Sequence, residues 1–316
     1  MTIKKASINS KIKLLKSRLS LYALSGTILL AGLALLGASF PPPPLQANSA
    51  SLNLHQYENY YPPIVLTGIY NNASGLTYNT DTNTLFAIIN NPEIIVEIDT
   101  EGNVLRDVSL EGFEDTEAIT YIGNDDYVIV EERKRSIVIV NIIPSTKTII
   151  RSQQRSLTLP RSKVNNKGFE GIASDPIRNR LYISNQKKPR ELIQLDGFIE
   201  NTLHVSMSFP WGLEEKSLGA EDISGLYFDG QLNNILLLSN ESKQLVEANL
   251  QGEIISLLDL SDSNPNLAAS IPQPEGITLG ANNTLYILSE PNLLFKFEKE
   301  TPTNNKQQRI NNQTAQ

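Results

Sequence analysis

Beyond about residue 60 the apolar positions come in short bursts separated by polar turns, and no stretch sustains the 3.6-residue spacing of an amphipathic helix. The bursts LFAIIN (85–90), YVIVEE (127–132), LYISNQ (181–186), ILLLSN (235–240) and LYILSE (285–290) are rich in β-branched and aromatic residues. They read as strands with period-two alternation. Each is preceded by an Asn/Asp/Gly turn, such as NTDTNT (79–84), DPIRNR (175–180) or DGQLNN (229–234). Each is followed by another strand-like run, for example IIVEID (94–99) or LVEANL (245–250). Fourth runs follow at NVLRDVSL (103–110), TIIRSQ (148–153), TLHVSMS (202–208) and EIISLLDL (253–260).

The strand groups repeat. NASGLTYN (72–79), DTEAITYI (115–122), FEGIASDP (169–176), DISGLYFD (222–229) and QPEGITLG (273–280) align on Ser74, Glu117, Glu170, Ser224 and Glu275. The spacing of about 50 residues, with four strands per unit, is the signature of a β-propeller blade. The expected fold is all-β, with five four-stranded blades. A six-bladed ring is the alternative, its extra blade lying between Ile143 and Asn166 or between Asn201 and Ala220. The fifth unit lacks a fourth strand, so YYPPIVLTGI (60–69) is expected to complete it and close the ring, leaving no free sheet edge.

The N-terminal region follows a different pattern. Lys4, Lys5, Lys11, Lys13, Lys16 and Arg18 precede a run without charge from Leu19 to Tyr57. The predicted organisation is a basic cytoplasmic stretch over 1–18, a transmembrane signal-anchor or signal peptide over 19–40, a linker over 41–59, the propeller over 60–299 and a disordered tail over 300–316. The apolar run is about long enough to span a bilayer, and its basic flank keeps the N-terminus cytoplasmic. PPPPL (41–45) ends the helix. The expected location is therefore a bacterial cell membrane, crossed once, with the propeller on the periplasmic side. The membrane is a partner through that helix; no protein partner is legible.

Charge and composition narrow the chemistry. All 34 acidic residues lie beyond the basic N-terminus, and the chain carries a net charge of −7. An acidic body argues against nucleic-acid binding. There is no cysteine, and His55 and His204 stand apart, which disfavours zinc or copper. No Ser-His-Asp triad or phosphate-cradling glycine loop is recognisable. In a propeller the innermost strand lines the channel, so the aligned positions point Glu117, Glu170 and Glu275 toward one axis. Asp222 lies two residues before Ser224, as Asp115 does before Glu117. A second ring at the end of each second strand comprises Asn90, Glu132, Asn185, Asn240 and Glu290. Converging carboxylates repel and call for a cation, and calcium takes six to eight oxygen ligands in flexible geometry. The metal ligands expected are Glu117, Glu170, Glu275, Glu132, Glu290, Asp222 and Asn185, with Ca2+ as the ion. The competing reading is structural: Glu-Gly as a packing solution, the glycine admitting a neighbouring backbone.

The stretches SGLTYNTDTNTLFAIINNPEIIVEIDTEGNVLR (74–106), LEGFEDTEAITYIGNDDYVIVEERKRSI (110–137) and NKGFEGIASDPIRNRLYISNQKKP (166–189) resemble the SdiA-regulated family of bacterial propeller proteins. The resemblance covers residues 60–298 and the single N-terminal apolar segment. It implies a five-bladed calcium-binding propeller of the cell envelope, linked to calcium homeostasis and without an established enzymatic activity. It carries over Glu117, Glu132 and Glu170, with Glu275 following from the repeat. Because the family is distantly similar to phytase-like propellers, the alternative is a calcium-dependent hydrolase, either a phosphoesterase or a lactonase.

Overall fold

The computed structural model describes residues 50–159, 168–185, 190–211 and 218–299. These residues form five sheets, antiparallel but for one added strand, arranged as the blades of a propeller. The first blade is built from β3 (Ala73–Asn79), β4 (Thr84–Ile89), β5 (Ile94–Ile98) and β6 (Val104–Glu111). The second contains β7 (Thr116–Gly123), β8 (Asp126–Glu131), β9 (Ser136–Asn141) and β11 (Arg155–Thr158). β12 (Phe169–Asp175), β13 (Arg180–Asn185), β14 (Leu192–Asp196) and β15 (Ser206–Ser208) make the third. β16 (Gly225–Asp229), β17 (Asn234–Ser239), β18 (Gln244–Asn249) and β19 (Ile254–Asp259) make the fourth. The fifth has β20 (Gln273–Leu279), β21 (Leu285–Glu290) and β22 (Leu293–Lys299). The inner strands touch in the cyclic order β3, β7, β12, β16, β20 and back to β3. Among the described residues there is no sixth blade: the two long connections supply only outer strands.

Closure comes from the N-terminal side, in two pieces. β2 (Ile64–Val65) pairs with Leu293–Leu294 of β22, and β1 (Tyr57–Glu58) pairs with Glu298–Lys299 at its other end. Pro62 and Pro63 lie between them and cannot donate to a ladder, which splits the closing strand. Packing also reaches back into the expected linker. Leu52, Leu54 and Tyr57 are buried in the core between the fourth and fifth blades. This strap is fastened by Glu247, which is itself fully buried. Its carboxylate accepts from Ser51 Oγ at 2.6 Å, Leu52 N at 2.9 Å, Ser256 Oγ at 2.6 Å and Asn234 Nδ2 at 2.7 Å.

One fourth strand departs from expectation. Thr148–Ile150, read from sequence as the outer strand of the second blade, forms β10, which runs parallel to β6 of the first. Ile149 and Ile142 are drawn into the core shared by those two blades. The chain then turns at Arg151, whose Nε donates to the buried Glu131 Oε2 at 2.7 Å. That turn returns β11 antiparallel along β9 as the true outer strand.

The core lies between blades. β4 and β17 are buried at every position, because a blade's middle strand is covered on both faces by its neighbours. This is why LFAII and ILLL are continuous apolar runs rather than strict alternations. The recurrent turns have a common mechanism. Asn79 Oδ1 accepts from the amides of Asp81 and Thr82, and Asp229 Oδ1 from those of Gln231 and Leu232. Asn83, Asn179 and Asn233 then take the left-handed backbone that asparagine tolerates.

The basic segment 1–18, the apolar segment 19–40 and the tail from residue 300 lie outside the described residues. Among the described residues no helix is long and apolar enough to cross a membrane.

Candidate metal centre at the channel mouth

A β-bulge recurs at the aligned positions. The β3–β4 register shifts between Ala73 and Gly75, that of β7–β8 between Thr116 and Ala118, that of β12–β13 between Phe169 and Gly171, and that of β20–β21 between Pro274 and Gly276. The unpaired residues are Ser74, Glu117, Glu170 and Glu275. A bulge re-aims its side chain and adds twist, and such features cluster beside functional sites. In the fourth blade the paired register begins only at Gly225, opposite Leu238; Ser224 N also donates to Leu238 O at 2.8 Å, and its hydroxyl donates to Pro274 O at 2.7 Å. So the first and fourth inner strands carry a serine at the position where the other three carry a glutamate.

The residue after the bulge is small for a separate reason. A Cβ on Gly225 would come within 2.7 Å of Glu275 O, and one on Gly276 within 2.8 Å of Leu76 N. The inner strands of adjacent blades therefore approach through glycine, which supports the packing reading for the Gly half of Glu-Gly. It leaves the Glu half unexplained.

The second ring binds across blades rather than within them. Asn90, after β4, donates through Nδ2 to Glu117 Oε1 of the second blade at 2.7 Å and to Asp115 Oδ1 at 3.3 Å. Glu132, after β8, accepts from Gly168 N, next to the third blade, at 2.6 Å. Asn240, after β17, lies 3.4 Å from Glu275 Oε1 of the fifth. Asn185 and Glu290 end β13 and β21 at the corresponding positions. Asp222 is buried ahead of β16 and is satisfied by Ser239 Oγ at 2.5 Å and Glu241 N at 2.9 Å.

Among the described residues, one group is tight enough for a shared ion. Asp115, Glu117 and Glu132 each offer an oxygen, and these oxygens all lie within 4.8 Å of one another. Oxygens that ligate calcium at about 2.4 Å can be no farther apart than about twice that, so the three are close enough to share one ion. Asp115 was visible in sequence only as the counterpart of Asp222. Its left-handed backbone (φ 59°) and its carbonyl, which accepts from Glu132 N at 2.9 Å, place it between the other two.

The electrostatics are those of excess negative charge. Burial, then the charges of Glu117, Glu132, Glu275 and Asp222, push Glu170 up to about 9. Burial with Glu290, Asp222 and Glu117 raises Glu275 to about 8, and burial with Glu132 and Asp115 raises Glu117 to about 7. Glu132 and Glu290 are raised as well, chiefly by burial. Among the described residues, two cations stand at the edge. Exposed Arg133 places Nε 2.9 Å from Asp115 Oδ2, and Lys243 donates to Asn240 Oδ1 at 2.8 Å and to Pro272 O. Below Glu170 and Glu275 the channel narrows to a void of about 10 Å³, with room for about one water-sized particle. His55 lies on the strap against the fourth blade and His204 beside the outer strand of the third, so neither belongs to this cluster.

The SdiA-regulated family model matches residues 49–298. Similar solved structures include a nidogen/laminin complex (14% identity, TM-score 0.48, covering 70% of this chain and 73% of that one). A luciferin-regenerating enzyme matches at 12% identity and a TM-score of 0.45, covering 75% of this chain and 95% of that one. A streptogramin B lyase matches at 12% and 0.45, covering 79% and 100%.

Proposed function

The chain belongs to the SdiA-regulated family, and from that premise we propose that it is a calcium-binding propeller of the cell envelope, non-enzymatic, serving calcium response or homeostasis or acting as an interaction platform. The observation that carries this reading is Glu170. Its carboxyl is mostly buried and faces four other acids, and among the described residues no group donates a hydrogen bond to it. A hard cation supplies what is missing. Asp115, Glu117 and Glu132 would hold it, with Glu170 and Glu275 lining the approach, and Asn185, Asp222 and Glu290 completing the polar rim. When bound, the ion offsets part of the cluster's negative charge and joins the entry of β7 to the end of β8 in the second blade.

Calcium should therefore raise the melting temperature. A ligand of the native state at 100 times its Kd contributes about 2.7 kcal/mol. Glu117→Gln and Glu170→Gln should shrink that shift, and identical melting in chelator and in millimolar calcium would overturn the proposal. The segment over 19–40 would hold the propeller on the outer face of the cytoplasmic membrane. Digestion of the propeller by protease added to spheroplasts, and not by protease kept outside intact cells, is the corresponding check. The hydrolase alternative needs a proton-transfer group beside the metal. Without a histidine there it rests on carboxylates alone. Turnover of phytate or an aryl ester that vanishes in Glu170→Gln would favour it.

A further inference from the structure

The other end of the same channel has the opposite character. Two residues beyond the aligned position, each inner strand contributes an aliphatic side chain: Leu76, Ile119, Ile172, Leu226 and Ile277. Past this ring the channel opens into a cavity of about 290 Å³. That is near the lower end of the size range of small-molecule sites. The ring forms its floor, Tyr78 and Tyr121 stand on its wall, and none of the lining residues carries a charge.

Two hydroxyls in the wall accept a hydrogen bond and leave their own proton unused. Thr77 Oγ1 accepts from Tyr121 N at 3.0 Å, and Thr278 Oγ1 accepts from Tyr78 N at 3.1 Å. Both threonines are more than nine-tenths buried, and neither donates to any described residue. The nearby hydroxyls differ: Thr120 donates to Ser174 Oγ, and Ser174 to Tyr121 O. A threonine hydroxyl has one proton to give, and leaving a buried donor unused costs free energy. The aliphatic floor offers water no partner, so an apolar group resting there gains burial that water does not.

We infer that this cavity is a second ligand site, separate from the acidic mouth. It takes an uncharged small molecule with an apolar ring and an oxygen acceptor, the ring resting on the aliphatic floor and the acceptor meeting Thr77 and Thr278. A charged ligand would lose its hydration with nothing to compensate it.

The test uses cyclohexanone and caprolactam as probes and cyclohexanecarboxylate as the charged counterpart, with binding followed by saturation-transfer NMR on the complete protein. Saturable binding of the neutral probes, unchanged by chelator, is expected, together with no competition from the carboxylate. Thr77→Val and Thr278→Val should each weaken binding about three- to tenfold, the loss of one neutral hydrogen bond. Thr77→Ser and Thr278→Ser, which retain the hydroxyl, should bind as the wild type does and so control for folding. Three results would overturn the inference: no saturable binding of either neutral probe, equal binding of the carboxylate, or full affinity in both valine variants. Because the readout does not depend on calcium, its failure is distinguishable from failure of the metal proposal.

Discussion

Glu170 is a liability to the metal-free protein, and that makes it testable alone. Its folded-state value of about 9 lies well above that of an exposed glutamate, so at pH 8 folding must keep a proton on it or bury its charge. Glu170→Gln removes that demand. In chelator at pH 8 the variant should be more stable than the wild type by at least about 1 kcal/mol, the equivalent of one pKa unit. Urea melts would show it, and a destabilised variant would mean that Glu170 is held by structural bonds. The neighbouring glycines predict the reverse sign. Gly225→Ala and Gly276→Ala put a methyl against the next strand's backbone and should cost about 1–3 kcal/mol in the same melts. At this scale the sequence was informative about which residues recur and silent about how they are aimed. Glu117, Glu170 and Glu275 align by eye, but the bulge that frees each one appears only in the register of two strands. Asp115 was missed as a ligand because its place depends on a left-handed backbone and on Glu132 arriving from another strand.

Single elements show where pattern reading stops. Middle strands were legible because each faces two neighbours and is apolar almost throughout, and inner strands because a Ser or Glu, a small residue and an aliphatic one recur in each. Outer strands are half-exposed, and their partners are set by tertiary capture. TIIRSQ has strand character, yet Ile149 enters the core between the first two blades and takes β10 with it. The strap was hidden for a similar reason. Ser51–Tyr57 carries no charge and no strand pattern, and its fastening depends on one buried carboxylate nearly 200 residues away. Glu247→Leu should orphan the donors on Ser51, Leu52, Asn234 and Ser256. A loss of about 4 kcal/mol is expected, because each of the four unsatisfied donors costs about 1 kcal/mol or more. The residues just before β1 should also become susceptible to proteolysis before the blades unfold. Cleavage that appears only with global unfolding would show that the apolar contacts of Leu52 and Leu54 suffice.

For the whole molecule, the acidic mouth couples protons, calcium and stability. The folded-state values of Glu117, Glu275 and Glu170 are raised to about 7, 8 and 9 from an ordinary value of 4.5. The folded state therefore binds more protons than the unfolded one between pH 4.5 and 9. Stability linked to these groups is fully present below pH 4.5 and is lost as pH rises through the folded-state values. In chelator the melting temperature should fall across that window, with a slope of at most about 1.4 kcal/mol per pH unit for each group. Calcium reverses the balance, since its ligands must be deprotonated. Adding it at pH 7 should release protons into a weakly buffered solution, and its Kd should tighten toward pH 9, beyond which no further proton has to leave. Calorimetry in buffers of different ionisation enthalpy measures that release directly. Binding with no proton release at pH 7 would place the ion away from Glu117, Glu170 and Glu275 and overturn the proposed site.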